Sequence, residues 1–151
     1  MRVSLKATYG ILAALDMALQ NGTGPIQAKA IARRQAIPVR FLEQVLHAMK
    51  RAGIVDSLRG AHGGYILNKR PDEVSLAEIV EALDGQLTSS RPRELGLHRR
   101  GHDRNRLEGL LGHVWERVRQ AELEVLGAVT LAEIAERHQQ VEQERSLMYH
   151  I

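Results

Sequence analysis

PVRFLEQVLHAMKRAGIVDSLRGAHGGYIL, Pro38 to Leu67, is the stretch whose reading decides the fold of this chain. In its first half Leu42, Val45, Leu46 and Met49 recur at spacings of three and four, one stripe of a helix, while Arg40, Glu43, Gln44, His47 and Arg51 share the opposite face. Pro38 suits the first turn of that helix, where its missing amide would lack a partner anyway. Gly53 stands where a helix is usually closed. The second half changes period. Ile54 to Leu58 and Tyr65 to Leu67 read as two short strands joined by the glycine-rich RGAHGG, which predicts a hairpin.

Working outward, Ser4 to Gln20 sets Leu5, Thr8, Ile11, Leu12, Leu15, Ala18 and Leu19 at helical spacing, and NGTGP stops that helix. Gln27 to Gln35 is a short second helix with Ala28, Ile31 and Ala32 inward, followed by the turn AIP. A short helix, a turn and a helix with a polar outer face have the layout of a helix-turn-helix, whose second helix enters the major groove. The residue types fit base edges: Arg40 can fork onto guanine, Glu43 can accept from the cytosine amino group, and Gln44 can pair with adenine, with His47 one turn on. Alone, such a face is ordinary solvated surface. The hairpin adds the wing of a winged helix, and Arg59 at its tip is placed to enter a narrow minor groove where negative potential concentrates. Gly60, Gly63 and Gly64 beside it would let the backbone approach phosphate, or would serve a tight turn that needs positive φ.

Downstream, two capping boxes announce helices: Ser75 with Glu78, and Thr130 with Glu133. Between them QLTSSRPRELGLHRRGHDRNR lacks periodicity and reads as a loop. From Asn105 to about Ala128 the residues Leu107, Leu110, Leu111, Val114, Val118, Ala121 and Val125 keep helical spacing. A helix of that length exceeds what so small a core can cover, so its surplus apolar face predicts a homodimer. The expected organisation is a DNA-binding winged helix over 1–85, a loop over 86–103, a dimerisation helix with a short helix after it over 104–138, and a tail over 139–151. The expected class is mainly α with a small β-hairpin.

Composition agrees. The 151 residues are 44% hydrophobic and only 3% aromatic, so the core is aliphatic and favours helices. No run approaches the length needed to cross a bilayer, and MRVSLKATYG lacks the features of a secretory signal, so the expected location is the cytoplasm. The absence of cysteine excludes disulfides, thiolate catalysis and thiolate-held metal or iron-sulfur centres. There is also no phosphate-binding glycine loop and no paired histidine-carboxylate motif on a helix, so no enzymatic activity and no cofactor is expected. The net charge of +3 is unevenly spread, with basic blocks at RRQAIPVR, LNKR and RPRELGLHRRGHDRNR, a distribution compatible with nucleic acid. In the last block His98 and His102 sit among arginines that repel a dication, and Glu94 and Asp103 offset these only in part; with His113 the two histidines are read as solvated rather than as metal ligands. An anion is the more natural guest of that loop, which leaves a regulator sensing a small anion or a metal there as an alternative, and a non-catalytic adaptor as one of another class.

FLEQ (Phe41–Gln44), KRAGIV (Lys50–Val55) and above all SLRGAHGGYIL (Ser57–Leu67) resemble the IscR/NsrR/CymR family of bacterial winged-helix transcription regulators, with similarity running from Met1 to about His138. The resemblance implies a homodimer reading an imperfect palindrome in double-stranded DNA. It implies DNA contacts at Arg40, Glu43, Gln44 and Arg59, and adds Phe41 at a position usually held by tyrosine. Many relatives carry a three-cysteine iron-sulfur motif where this chain has SSRPRELGLHRRGHDRN. The chain therefore resembles the cysteine-free, CymR-like branch, whose members repress cysteine metabolism and are controlled by complex formation with cysteine synthase. That branch ends in a methionine, two aromatics and an isoleucine, and Met148, Tyr149, His150 and Ile151 approach the pattern. The tail is thus expected to enter the enzyme's substrate-carboxylate site, with self-docking on the dimer as the other use of an apolar end.

Overall fold

A computed structural model describes residues 3–20, 22–85 and 102–150, the first four of the last stretch by backbone alone. Among the described residues six helices and one hairpin follow in the order α1 (Leu5–Leu19), α2 (Ala28–Gln35), α3 (Val39–Arg51), β1 (Val55–Leu58), β2 (Gly64–Leu67), α4 (Leu76–Asp84), α5 (His102–Ala128) and α6 (Leu131–Tyr149), with a 3-10 turn at Pro71–Glu73. The architecture is the expected one. Its core lies where α1 meets α2, α3, α4 and the start of α6, filled by Ile31, Leu42, Leu46, Met49, Ile54, Ile79 and Leu131, all fully buried. Burial of each such aliphatic side chain contributes about 1.5–3 kcal/mol.

The inward face of helix α1 is centred on small residues, and the expected Ile11, Leu12, Leu15 and Ala18 lie within or beside it. Ala7, Gly10, Ala13, Ala14 and Met17 are buried, whereas Leu5 is 60% exposed and Thr8 is exposed. The reason is close packing on several sides at once: a Cβ on Gly10 would stand 2.2 Å from Leu83 Cδ1 of α4. Small side chains let neighbouring helices approach, and the larger Ile11, Leu12 and Leu15 fill the flanks, half-buried. Ser4 caps α1 through the Ala7 amide (3.0 Å), and its own amide and hydroxyl both donate to Asp84 at the far end of α4.

Between α2 and α3 the chain turns at Ala36, which adopts a left-handed conformation (φ 53°, ψ 42°), and buries Ile37 directly after it. Pro38 is the N-cap of α3 rather than a first-turn residue; its carbonyl accepts from Leu42 N–H at 2.9 Å, and the cap position requires no amide either. Gly53 follows α3 with φ 76°, as expected.

Helices α4 and α6 start side by side. Ser75 Oγ accepts from Glu78 N–H (3.2 Å) and Thr130 Oγ1 from Glu133 N–H (3.3 Å), while Leu76 N–H donates to Val129 O and Leu131 N–H to Val74 O, both at 3.0 Å. This backbone clasp returns the chain to the core after α5, and buried Leu131 seals it. Helix α5 itself projects away: Leu107, Leu110, Leu111, Val114, Trp115, Val118 and Val125 are between 45% and 65% exposed. Helix α6 differs from expectation in length. The short helix and separate tail are one continuous helix to Tyr149, because residues 136–149 are mostly strong helix formers (Glu, Gln, Arg, Leu, Met), lack glycine and proline, and carry the Glu142–Arg145 pair.

Candidate nucleic-acid interface

The helix-turn-helix is braced from behind by one buried charge. Asp16 of α1, 2% exposed, accepts from Arg34 Nε (2.9 Å) and Nη2 (2.6 Å) and from Gln35 Nε2 (2.9 Å), a forked clamp that ties the end of α2 to α1. The hydrogen bond to Asp16, with its negative charge, raises the Arg34 pKa further above its already high ordinary value, so the guanidinium stays charged throughout the neutral range. Sequence reasoning missed this clamp. Its signal is an acid inside the apolar run of α1 and a polar Arg-Arg-Gln at the end of a helix too short to spare residues.

With α2 fixed, α3 buries Leu42, Val45, Leu46, Ala48 and Met49 and exposes Arg40, Glu43, Gln44 and His47 together on the outer face. Four of the five α3 residues named as candidate DNA contacts therefore share one surface. The fifth, Phe41, is half-buried against the core, its ring edge-on to Tyr9 at 5.4 Å and 82°. It supports the helix from the side.

The hairpin pairs Val55 with Leu67 through Leu58 with Gly64, leaving residues 59–63 as the loop. Arg59, Gly60 and His62 are exposed there, and Gly60 has φ 114°. Gly63 and Gly64 have intramolecular reasons for being glycine. A Cβ on Gly63 would lie 2.2 Å from Leu58 O, and one on Gly64 2.5 Å from the carbonyl of Ile26, at φ 154°. That second approach exists because Ile26 and Tyr65 exchange backbone hydrogen bonds (2.9 and 2.8 Å), stitching the wing to the segment that leads into α2. On the other side Lys50 of α3 donates to Ser57 Oγ and lies 3.6 Å from Asp56, and Asn68 Nδ2 donates to Gly53 O at 3.1 Å. Helix α3 and the strands of the wing are thus tied to each other and to the segment before α2.

The remaining candidates lie elsewhere. Met148 and Tyr149 are 77% and 81% exposed at the end of α6, His150 is its C-cap, and Ile151 lies outside the described residues. His98 and the loop around it also lie outside them, as do the side chains of His102 and Asp103; His113 is exposed on α5. Among the described residues no three histidine, cysteine, aspartate or glutamate side chains could hold a metal ion, and no helix is long and apolar enough to cross a membrane.

Comparison with known proteins gives a consistent result. A family model, Rrf2, described as an iron-dependent transcriptional regulator, matches residues 3–137. The chain has no cysteine, so iron held by thiolates finds no ligands here. The regulator CymR of Bacillus subtilis is 32% identical over 149 residues, 99% of each chain. The solved structure of that protein, described as the global cysteine regulator, superposes with a TM-score of 0.71 at 30% identity, covering 91% of this chain and 98% of the other. The structure of T. potens IscR gives 0.72 at 32% identity, covering 93% and 90%. A helix-turn-helix with an exposed polar recognition face, a wing braced beside it, and these matches along nearly the whole chain lead to one conclusion: the chain belongs to the Rrf2 family of helix-turn-helix transcriptional regulators, and is not an enzyme.

Proposed function

We propose that the protein binds an imperfect palindrome as a homodimer, with α3 in the major groove and Arg59 in the adjoining minor groove, and represses genes of cysteine and sulfur metabolism. The observation that carries this reading is the single surface formed by Arg40, Glu43, Gln44 and His47, with the wing tied to α3 by Lys50 and to the segment before α2 by Ile26. The exposed apolar stripe of α5 supports dimerisation. Likeness to CymR over 99% of both chains supports the regulon. Arg59→Ala is expected to weaken binding strongly, whereas Glu43→Ala mainly relaxes sequence choice, a good base contact being worth about 1–3 kcal/mol. Fluorescence anisotropy at fixed salt, on a duplex that the parent enriches from a random pool and on its scrambled counterpart, tests both. Equal affinity of parent and Arg59 variant rejects the wing assignment.

Control of the repressor is assigned to complex formation with cysteine synthase through Met148, Tyr149, His150 and Ile151. The exposure of Met148 and Tyr149 supports an intermolecular use for this end of α6. Calorimetric titration of the enzyme with the parent and with a variant lacking these four residues tests it: the parent binds in competition with O-acetylserine, the variant does not. Equal binding by both removes the tail from the interface.

A further inference from the structure

Two adjacent arginines on α2, Arg33 and Arg34, are identical in chemistry and opposite in circumstance. Arg34 spends both arms of its fork on Asp16, at 2.9 and 2.6 Å. Arg33 is exposed, and neither it nor Lys29, one turn earlier and also exposed, has a hydrogen-bond or ion-pair partner among the described residues. Successive residues of a helix point about 100° apart. Arg34 therefore reaches back to α1, while Arg33 and Lys29, four residues apart, are neighbours on a different flank.

An exposed guanidinium and an ammonium about 5–6 Å apart at the Cβ level repel each other mildly, and an anion bound between them offsets that repulsion. Helix α2 packs directly against α3, the helix that carries Arg40, Glu43, Gln44 and His47. The anionic surface that flanks a helix lying in the major groove is the sugar-phosphate backbone. We propose that Arg33, with Lys29, contacts DNA phosphate, and that Arg34 is a strut within the protein that makes no DNA contact. The assignment rests on the DNA-binding reading above and adds two residues to it.

The two roles separate in the salt dependence of binding. Removing one phosphate contact lowers the slope of log K against log salt by about 0.9, so in a dimer Arg33→Ala lowers it by about 1.8 between roughly 50 and 200 mM salt, equally on the selected and scrambled duplexes. Lys29→Ala acts in the same direction. Arg145→Ala, which removes the same charge from α6, leaves the slope unchanged. Arg34→Ala lowers stability but keeps the parent slope. Should that variant fail to fold, Asp16→Asn with Arg34→Met removes the ion pair while retaining volume, and is expected to keep the parent slope too. The assignment is overturned if the parent binds but Arg33→Ala keeps its slope, or if losing Arg34 shifts the slope as much as losing Arg33. A parent that binds no duplex overturns the DNA reading itself and this assignment with it.

Discussion

Breaking the Asp16–Arg34 clamp from its two ends should cost different amounts, because the partners are unequally buried: the aspartate side chain is 3% exposed, the arginine 41%. In Arg34→Ala the carboxylate remains inside with Gln35 Nε2 as its donor at 2.9 Å and no counter-charge. Stranding a buried charge costs about 3–5 kcal/mol, and the surviving hydrogen bond puts this case near the lower end, about 3 kcal/mol. In Asp16→Ala the guanidinium turns into water that it already touches. What disappears is the charge-assisted hydrogen bonding and a little packing, about 1.5 kcal/mol. The double variant strands nothing and should cost no more than Arg34→Ala alone. Urea unfolding followed by helical circular dichroism, at one fixed protein concentration, reads the difference. With a slope of about 2 kcal/mol per molar, the two single variants should separate by about 0.7 M in midpoint. If Asp16→Ala is the more damaging, or if the two effects simply add, the clamp is not a buried-charge device.

Gly64→Ala should break the Ile26–Tyr65 stitch, since its Cβ would meet backbone at 2.5 Å; a loss of about 1–3 kcal/mol is expected, with hydrogen exchange rising at the amides of both residues. Ala36→Gly should instead stabilise, by up to about 1 kcal/mol, because the left-handed conformation at φ 53° penalises a Cβ; an unchanged or lower melting temperature would contradict this. Leu111→Glu places a charge in the exposed stripe of α5 and should yield a monomer in sedimentation, with loss of tight binding to a palindrome. The purified protein should be colourless and its DNA affinity indifferent to an iron chelator, as follows from the lack of any thiolate; a chelator-sensitive absorption band would reverse that reading.

Legibility of the fold in the sequence follows the physics of each element. Helix α3 and the wing are readable because their signals are sharp: a strict four-residue stripe, a closing glycine at Gly53 and a period change after it. The periodicity of α1 centres its inward face on the leucines, of which Leu12 and Leu15 with Ile11 do pack on the core, whereas close approach to α4 requires Gly10 and the alanines at the centre. The middle of α6, from Glu136 to Arg145, is polar except for Val141, so it has no periodic signal, and only its propensity indicates a helix.

The interface divides in the same way. That Arg40, Glu43, Gln44 and His47 share a face follows from helical spacing alone, and the structure brings them together. Spacing cannot tell that Phe41, between them in sequence, turns aside to Tyr9, nor that Gly63 and Gly64 answer to Leu58 and Ile26 within the chain itself. Asp16 is the plainest case. An acid inside the apolar run of α1 marks the position as unusual, but its partners are 18 and 19 residues away, and only the packing of α2 onto α1 shows which groups it holds.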